Sequence, residues 1–270
     1  MQIGINFWTL PNGTQLREGF RMAKAAGFDT VEINMAEEGE VNLHLTETSA
    51  RAISAAASEE GVVLSSLSTG LGWKYPLSAA DEETRTKGMD VVRKMLQTAS
   101  WIGMDTILLV PATVTADVAY DEAYERALNG LKILAPYAAS MGVSIGVENV
   151  WNRFLLSPLE FARFIDEADS PMVGAYFDAG NVLAYGYPDQ WVRILGKRIK
   201  KVHVKDFRGG LGNGVFCNPL QGDVPWERVR KELDAIGYNG PITAEVEGYR
   251  VHKELGLKHI AESLRSVFGS

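Results

Sequence analysis

The chain has 270 residues, of which 46% are hydrophobic and 23% charged, and its formal net charge is -7 at pH 7. This length and apolar content suffice for a large hydrophobic core, and α/β barrels of this size occur as one domain. Proteins that bind the phosphate backbone of a nucleic acid usually carry a basic stripe on their surface, so the net negative charge of this chain argues against a nucleic-acid partner. The one cysteine, Cys217, excludes a disulfide framework and fits a reducing compartment.

No run of the sequence approaches the ~18 apolar residues of a membrane span. The first residues, 1–11, also lack the basic region of a signal peptide. We therefore expect a cytoplasmic protein without a membrane partner. The sequence leaves the oligomeric state open, a homo-oligomer included.

Short runs rich in Val, Ile and other apolar residues alternate with longer amphipathic segments along the chain. The predicted strands are Ile3–Asn6, Thr30–Asn34, Val62–Thr69, Thr106–Val110, Ser144–Asn149, Val173–Asp178, Lys200–Asp206 and Pro241–Glu247. The predicted helices are Leu16–Ala26, Ala50–Glu60, Glu83–Ile102, Asp121–Met141, Pro158–Ala168, Trp226–Ile236 and a last one from about His252 to Val267. Glycine follows several of these helical patterns, as at Gly27, Gly103 and Gly142, which is typical of helix ends.

Strict alternation of strand and helix implies a parallel sheet with right-handed crossovers, and eight strands favour closure into a barrel. An open doubly wound sheet is the alternative, but its G-x-G-x-x-G fingerprint after the first strand is missing. The sequence therefore predicts a (β/α)₈ TIM barrel, with residues 1–270 as a single domain.

Charged residues are costly inside buried strands, yet each of the last four predicted strands carries an ionisable residue near its C-terminal end. These residues are Glu148, Asp178, His203 and Glu245. Because side chains alternate across a strand, all four should face the barrel axis and converge at its mouth, where barrel enzymes hold their chemistry. Carboxylates this close repel one another unless a divalent cation neutralises them. The donor set suits Mn²⁺ or Mg²⁺, with Co²⁺ or Zn²⁺ also compatible.

Each of these residues also has a separate structural explanation. Glu245 could pair with Lys205, Asp178 could cap a helix, and His203 could be a hydrogen-bonded core histidine. Their occurrence together on neighbouring strands favours the metal site. A single strand histidine argues against a multi-zinc hydrolytic site, and the isolated Cys217 argues against a cysteine nucleophile.

Two features near the predicted mouth have open roles. The glycine-rich stretch Gly209–Gly214 is a flexible loop, a lid, or a loop that contacts a phosphate together with Arg208 before it. Trp8 should share the inward face of the first strand, where it either packs under a loop or stacks on a sugar.

Four motifs resemble the sugar phosphate isomerase/epimerase superfamily, the xylose-isomerase-like barrels. They are Glu-Asn-x-Trp at Glu148–Trp151, Asp-x-Gly-Asn at Asp178–Asn181, His-x-Lys-Asp at His203–Asp206 and Gly-Asp-Val-Pro-Trp at Gly222–Trp226. Within this superfamily the chain looks most like the ketose 3-epimerases. The resemblance implies a small sugar or sugar phosphate as substrate and one divalent metal held by the four residues above. It also implies that Glu148 and Glu245 act as an acid/base pair on opposite faces of C3, by way of an enediolate.

Two positions depart from the D-tagatose type of these enzymes. Asn181 stands where they have histidine, and Phe154 stands where they have a further glutamate. Both changes touch contacts to sugar hydroxyls, so they put a tagatose-type substrate in question. Arg208 lies near the arginine that those enzymes use after the seventh strand, which implies a role in substrate binding.

Other reactions and roles fit the same barrel. Proton transfer between C1 and C2 would make an aldose–ketose isomerase, and loss of water from the enediolate would make a lyase similar to inosose dehydratase. A hydrolase similar to endonuclease IV fits the acidic chain less well. A sugar-binding barrel without activity would not need a symmetric pair of glutamates.

Overall fold

Eight parallel strands close into a barrel in the computed structural model, which describes residues 1–210 and 212–269. Within these ranges the strands are β1 (Ile3–Asn6), β2 (Thr30–Met35), β3 (Val63–Thr69), β4 (Thr106–Leu109), β5 (Ser144–Glu148), β6 (Val173–Asp178), β7 (Ile199–Val204), β8 (Asp206–Arg208), β9 (Val215–Cys217) and β10 (Ile242–Ala244). The order around the barrel is β1-β10-β7-β6-β5-β4-β3-β2, and β8 and β9 form a separate antiparallel hairpin. The predicted (β/α)₈ barrel is confirmed.

Helices connect the strands and surround the barrel. They are α1 (Leu16–Ala26), α2 (Glu47–Glu59), α3 (Leu71–Lys74), α4 (Glu82–Ile102), α5 (Tyr120–Met141), α6 (Pro158–Glu167), α7 (Ala179–Leu183), α8 (Pro188–Leu195), α9 (Trp226–Ala235) and α10 (Lys253–Phe268). None of the helices within the described ranges is both long and apolar enough to cross a membrane.

The first helix illustrates how the sequence determines these elements. Leu16, Phe20 and Ala23 recur at helical spacing and are buried, so they form the face that packs on the barrel. The helix ends at Gly27, whose φ of 101° is a left-handed conformation that glycine adopts without strain. Gly103 and Gly142 end α4 and α5 in the same way, as predicted.

Alternation along the strands divides the barrel into two layers. The residues predicted to face the helices in β5 and β7, namely Ile145, Val147, Val202 and Val204, are fully buried in the hydrophobic core. Their neighbours in sequence point to the barrel axis instead, and these inward positions include Glu148 and His203. The core between strands and helices thus fixes the orientation of the polar side chains inside the barrel.

Several helices of the structure differ from the predicted ones. No helix was predicted between β6 and β7, where α7 and α8 lie, because both are short and glycine and proline interrupt their pattern. The helix predicted from Ala50 begins at Glu47, because the side chain of Thr46 accepts the Ser49 N–H at 3.2 Å and caps it.

The ends of the last two barrel strands also differ from prediction. The seventh ends at Val204 and the eighth at Ala244 rather than Glu247. The N–H of Val246 donates to the Thr9 hydroxyl at 3.2 Å instead of to a neighbouring strand, so the ladder stops there. The predicted glycine-rich loop connects the two strands of the hairpin β8–β9, and its Leu211 lies outside the described residues.

Candidate functional site

The four predicted metal ligands meet at the C-terminal mouth of the barrel. Glu148 and Asp178 are the last residues of β5 and β6, His203 is the next-to-last residue of β7, and Glu245 directly follows β10. Asp178 and His203 are register partners on adjacent strands. One potential ligand atom from each of the four lies within 4.8 Å of the others. The structure therefore brings all four together, as the alternation of side chains predicted.

These side chains differ in their access to solvent. Asp178 and His203 are fully buried, whereas the Glu245 side chain is 21% exposed and faces the opening. Burial raises the pKa of Glu148 to about 7, with the nearby Glu245 adding to the effect and His203 opposing it. Burial likewise raises the pKa of Asp178, against the charges of Lys205 and His203. The cluster therefore carries negative charge that this environment disfavours, which is the setting in which a bound cation is stabilising.

Lys205 supplies part of the missing positive charge. Its Nζ lies 2.7 Å from Oε2 of Glu245 and 2.9 Å from Oδ2 of Asp178. Burial opposes the charge on Lys205, but Asp178 and Glu245 outweigh it and raise its pKa, so the side chain is an ammonium. The pairing of Glu245 with Lys205, offered above as an alternative to metal binding, is therefore present.

This ammonium does not satisfy the whole cluster. Oδ1 of Asp178 accepts the Asn181 N–H at 2.8 Å and caps α7, the second alternative considered above. Oδ2 of Asp178 is buried and accepts no hydrogen bond, since Lys205 lies off the required direction. A buried carboxylate oxygen without a donor is costly. The three carboxylates and the imidazole of the cluster fit a single divalent cation with mostly oxygen ligands.

Glu32, which the sequence reasoning missed, lies on the other side of His203. This carboxylate is fully buried on β2, and its Oε1 lies 2.7 Å from Nε2 of His203. Burial alone would raise the pKa of Glu32, but His203 and the hydroxyls of Tyr176 and Ser66 lower it below its usual value. The sequence does carry a signal, because Glu32 lies between Val31 and Ile33 in a predicted strand, and alternation then turns Glu32 to the barrel axis.

The motif residues around the ligands have clear structural roles. The side chain of Asn149 donates to the Asp178 carbonyl at 2.9 Å, and the side chain of Asn181 donates to the Asn149 carbonyl at 2.9 Å. The Trp151 indole donates to the Asn181 carbonyl at 2.9 Å. A Cβ on Gly180 would lie 2.5 Å from the Lys205 carbonyl oxygen, so only glycine fits there. These contacts fix the ends of β5 and β6 and hence the positions of their two ligands.

An open cavity of about 660 Å³ leads from solvent to Glu245 and Lys205. Its remaining lining residues are Trp8, Phe216, Cys217, Asn218, Gln221, Val246, Glu247, Gly248, Tyr249 and Arg250. Trp8 is half exposed and lies in a short 3₁₀ helix after β1, rather than on the strand itself. Trp8 and Phe216 present exposed aromatic surface to this cavity, as expected where a sugar face is bound.

Arg208 lies outside the lining of this cavity. It is exposed at the end of β8 and is not among the described residues that line this cavity, whereas Arg250 is. The neighbouring loop amides are also occupied, because Gly209 N–H donates to Asp223 at 3.0 Å and Gly210 N–H to Asn213 at 3.1 Å. A phosphate at this loop would have to displace both acceptors.

Comparison with known proteins agrees with this architecture. L-ribulose-5-phosphate 3-epimerase of Salmonella paratyphi A is 29% identical over 247 residues, 90% of this chain and 86% of the relative. The solved D-psicose 3-epimerase with D-tagatose from Clostridium cellulolyticum H10 superposes with a TM-score of 0.83 at 17% identity, covering 100% of both chains. The solved 3-keto-D-glucoside 4-epimerase from E. coli has a TM-score of 0.81 at 20% identity, covering 98% of this chain and 99% of the other.

All three are epimerases by name, and epimerases are isomerases, the enzyme class predicted from the sequence. The two solved structures share the fold at these identities. A family model described as xylose isomerase-like TIM barrel matches residues 20–267. The chain belongs to the xylose isomerase-like TIM barrel family.

Proposed function

We propose that this protein is a divalent-metal-dependent ketose 3-epimerase that moves a proton at C3 of a sugar or sugar phosphate. The observation that carries the proposal is the cluster of Glu148, Asp178, His203 and Glu245, whose ligand atoms lie within 4.8 Å of one another at the barrel mouth. The named relatives support the reaction class, since L-ribulose-5-phosphate 3-epimerase is similar over most of the chain.

The four clustered residues would hold the ion, with Mn²⁺ favoured by the mostly carboxylate donor set. When bound, a divalent ion supplies positive charge that stabilises the enediolate left after a C3 proton departs. Oδ2 of Asp178 supports this assignment, because it lies 2.9 Å from the Lys205 ammonium but accepts no hydrogen bond.

Glu148 and Glu245 are the proposed acid/base pair. They approach His203 from β5 and from the end of β10, at 3.2 Å and 3.7 Å from its Nδ1. Two carboxylates that reach one point from different strands can serve opposite faces of a single carbon. One would take the C3 proton and the other would return a proton to the opposite face, which inverts the configuration.

Trp8, Asn181 and Arg208 remain the proposed substrate contacts, and the cavity supports them unequally. Trp8 lines the cavity with Phe216, so a sugar ring entering towards Glu245 would pass between aromatic surfaces. The side-chain N–H of Asn181 donates to the Asn149 carbonyl, so any contact of Asn181 with a substrate would come through its side-chain oxygen. For a phosphorylated substrate, Arg250 is better placed than Arg208, because it lines the cavity.

Exchange in heavy water tests the proposal. The metal-loaded protein would be incubated with L-ribulose 5-phosphate, D-psicose, D-tagatose and their phosphorylated or free counterparts, and the products followed by NMR. Deuterium at C3 together with the C3 epimer is expected for at least one ketose. Deuterium at C1 or C2 instead would indicate aldose–ketose isomerisation, and a new ultraviolet-absorbing enone would indicate dehydration. Absence of C3 exchange with every ketose, on protein shown to hold its ion, would refute the proposal.

A further inference from the structure

Glu32 lies inside the barrel, away from the cavity that opens towards Glu245. Its side chain is fully buried, and both of its oxygens accept two hydrogen bonds. Oε1 accepts from the side-chain amide of Asn6 and lies 2.7 Å from Nε2 of His203. Oε2 accepts from the Tyr176 hydroxyl and, at 2.7 Å, from the Ser66 hydroxyl. Donors from four other side chains, on β1, β3, β6 and β7, therefore hold this carboxylate in one orientation.

The contact with His203 determines which ring nitrogen carries the proton. An ionised carboxylate only accepts hydrogen bonds, so Nε2 of His203 must donate. The ring is turned so that Nδ1 faces the other way, 3.2 Å from Oε1 of Glu148 and 3.7 Å from Oε2 of Glu245. The nitrogen that faces the ligand cluster is therefore the one that Glu32 leaves free to give up its proton and act as a ligand.

We infer that Glu32 is a positioning residue, which holds the His203 ring with Nε2 protonated so that the lone pair of Nδ1 points at the metal site. The inference rests on the metal site proposed above. It assigns a task to a residue on the second strand that touches neither the ion nor the sugar. Carboxylate–histidine–metal arrangements of this kind fix the tautomer of the ring and increase its strength as a ligand.

The location of the charge supports this task over simple packing. A neutral amide of the same shape could accept from Asn6 and His203 and donate to the two hydroxyls, so hydrogen bonding alone does not require an acid. A fully buried negative charge is costly unless a nearby positive charge compensates it. The His203 ring, 2.7 Å from Glu32, provides part of that compensation, and a cation bound beyond the ring would add to it.

Two substitutions separate the charge from the hydrogen bond. Glu32→Gln keeps the shape and an acceptor for Nε2–H but removes the charge, and Glu32→Leu removes both. Asp189→Asn is the matched control. Asp189 lies on α8 and is also a buried acid, but it pairs with Arg228 at 2.6 Å. Manganese affinity would be measured on metal-stripped protein by electron paramagnetic resonance of the free ion. The ring nitrogens of His203 would be followed by ¹⁵N NMR of the metal-free protein at alkaline pH and assigned with His203→Asn.

We expect Glu32→Gln to bind Mn²⁺ roughly 10-fold more weakly than the wild type and Glu32→Leu up to ~100-fold more weakly, the range seen for residues that orient metal ligands. The His203 signals should keep the Nε2–H form in Glu32→Gln and show a mixture of tautomers in Glu32→Leu. Asp189→Asn should change neither quantity. If Glu32→Leu does not fold, the affinity of Glu32→Gln alone decides.

Failure of the proposed metal site can be distinguished from failure of the inference about Glu32. A wild-type protein that binds no divalent ion would overturn the proposed metal site, and this inference with it. A wild-type protein that binds Mn²⁺, with Glu32→Gln and any folded Glu32→Leu both binding it within about twofold of the wild type, would overturn the inference alone.

Discussion

The indole Nε1 of Trp226 donates a hydrogen bond to Oδ2 of Asp206 at 2.9 Å, between two buried residues that end different sequence motifs. The same carboxylate accepts the backbone N–H groups of Leu220 and Val224, each at 3.0 Å. A Cβ on Gly222 would lie 2.3 Å from Oδ1 of Asp206, so only glycine lets the loop wrap this closely. Asp206 thus anchors the segment between the β8–β9 hairpin and α9, beside the cavity mouth.

Asp206→Ala should therefore destabilise the fold. It leaves the buried donors of Val224 and Trp226 and the part-buried N–H of Leu220 without an acceptor, and a loss of about 3 kcal/mol in the free energy of unfolding is expected. Urea unfolding with a chelator present measures it. Asp90→Ala is the control, because its pair with Arg93 is exposed and should contribute less than about 0.5 kcal/mol. Equal effects of the two substitutions would contradict the anchoring role.

Glu148→Gln and Glu245→Gln test the division of labour in proton transfer. Glutamine keeps the shape and one ligand oxygen but cannot take up a proton at working pH. Each single variant should lose net epimerisation, because inversion needs a proton carrier on both faces of C3. One variant should still exchange the C3 proton with deuterium from solvent, with retention, and the other should do so when the opposite epimer is supplied. If both bind metal normally and invert C3 at near the wild-type rate, neither residue is the acid/base.

Lys205→Met should separate the metal-free from the metal-bound protein. Without Lys205, the carboxylates of Asp178 and Glu245 lose their neighbouring cation, and about 3 kcal/mol of stability should be lost in the metal-free state. A bound divalent ion supplies the missing charge, so the rise in melting temperature on adding Mn²⁺ should be larger in the variant than in the wild type. Calorimetry with chelator and with Mn²⁺ measures both values. An unchanged metal-induced shift would show that the ion and Lys205 do not share these carboxylates.

Arg250→Gln and Arg208→Gln compare two candidate phosphate contacts. Arg250 lines the cavity, whereas Arg208 lies on the hairpin outside it, so Arg250→Gln should lower kcat/KM for a phosphorylated ketose by about 10-fold or more. The same change should leave kcat/KM for the free ketose nearly constant. Steady-state kinetics with both substrates provides the comparison. A larger loss of kcat/KM in Arg208→Gln would indicate that Arg208 is the phosphate contact, as the sequence predicted. Equal use of free and phosphorylated ketoses would exclude a phosphate contact at either residue.

The sequence predicted the barrel because its physical causes are local. Buried parallel strands need apolar runs, and the helices between them end at glycines such as Gly27 that adopt a left-handed conformation. The same alternation turned Glu148, Asp178, His203 and Glu245 to one side of the barrel, since the strands fix the direction of each side chain. Strand identity was therefore sufficient to predict the cluster.

Features that depend on local hydrogen bonds of side chains, or on residues far apart in sequence, were harder to predict. Trp8 leaves the strand because the side chain of Asn6 accepts its N–H at 2.8 Å and starts a 3₁₀ helix, which strand periodicity does not indicate. The orientation of Arg208 follows from a hairpin that pairs residues across the glycine-rich stretch. The alternation in β2 indicates that Glu32 faces the barrel axis, but its contact with His203 appears only once β2 and β7 are placed in one closed barrel, with β1 and β10 between them.

The contact between Glu32 and His203 joins residues 171 positions apart, and it also links the site to the folding of the chain. A folding intermediate in which β1 and β2 have not yet closed the ring lacks Glu32 at this place, so its His203 ring is free to turn. Closing so long a loop is entropically costly, and barrels rich in such distant contacts fold slowly. If the proposed ion binds the closed ring more tightly than the open one, it stabilises the closed state by mass action, so the metal would favour the last step of barrel assembly.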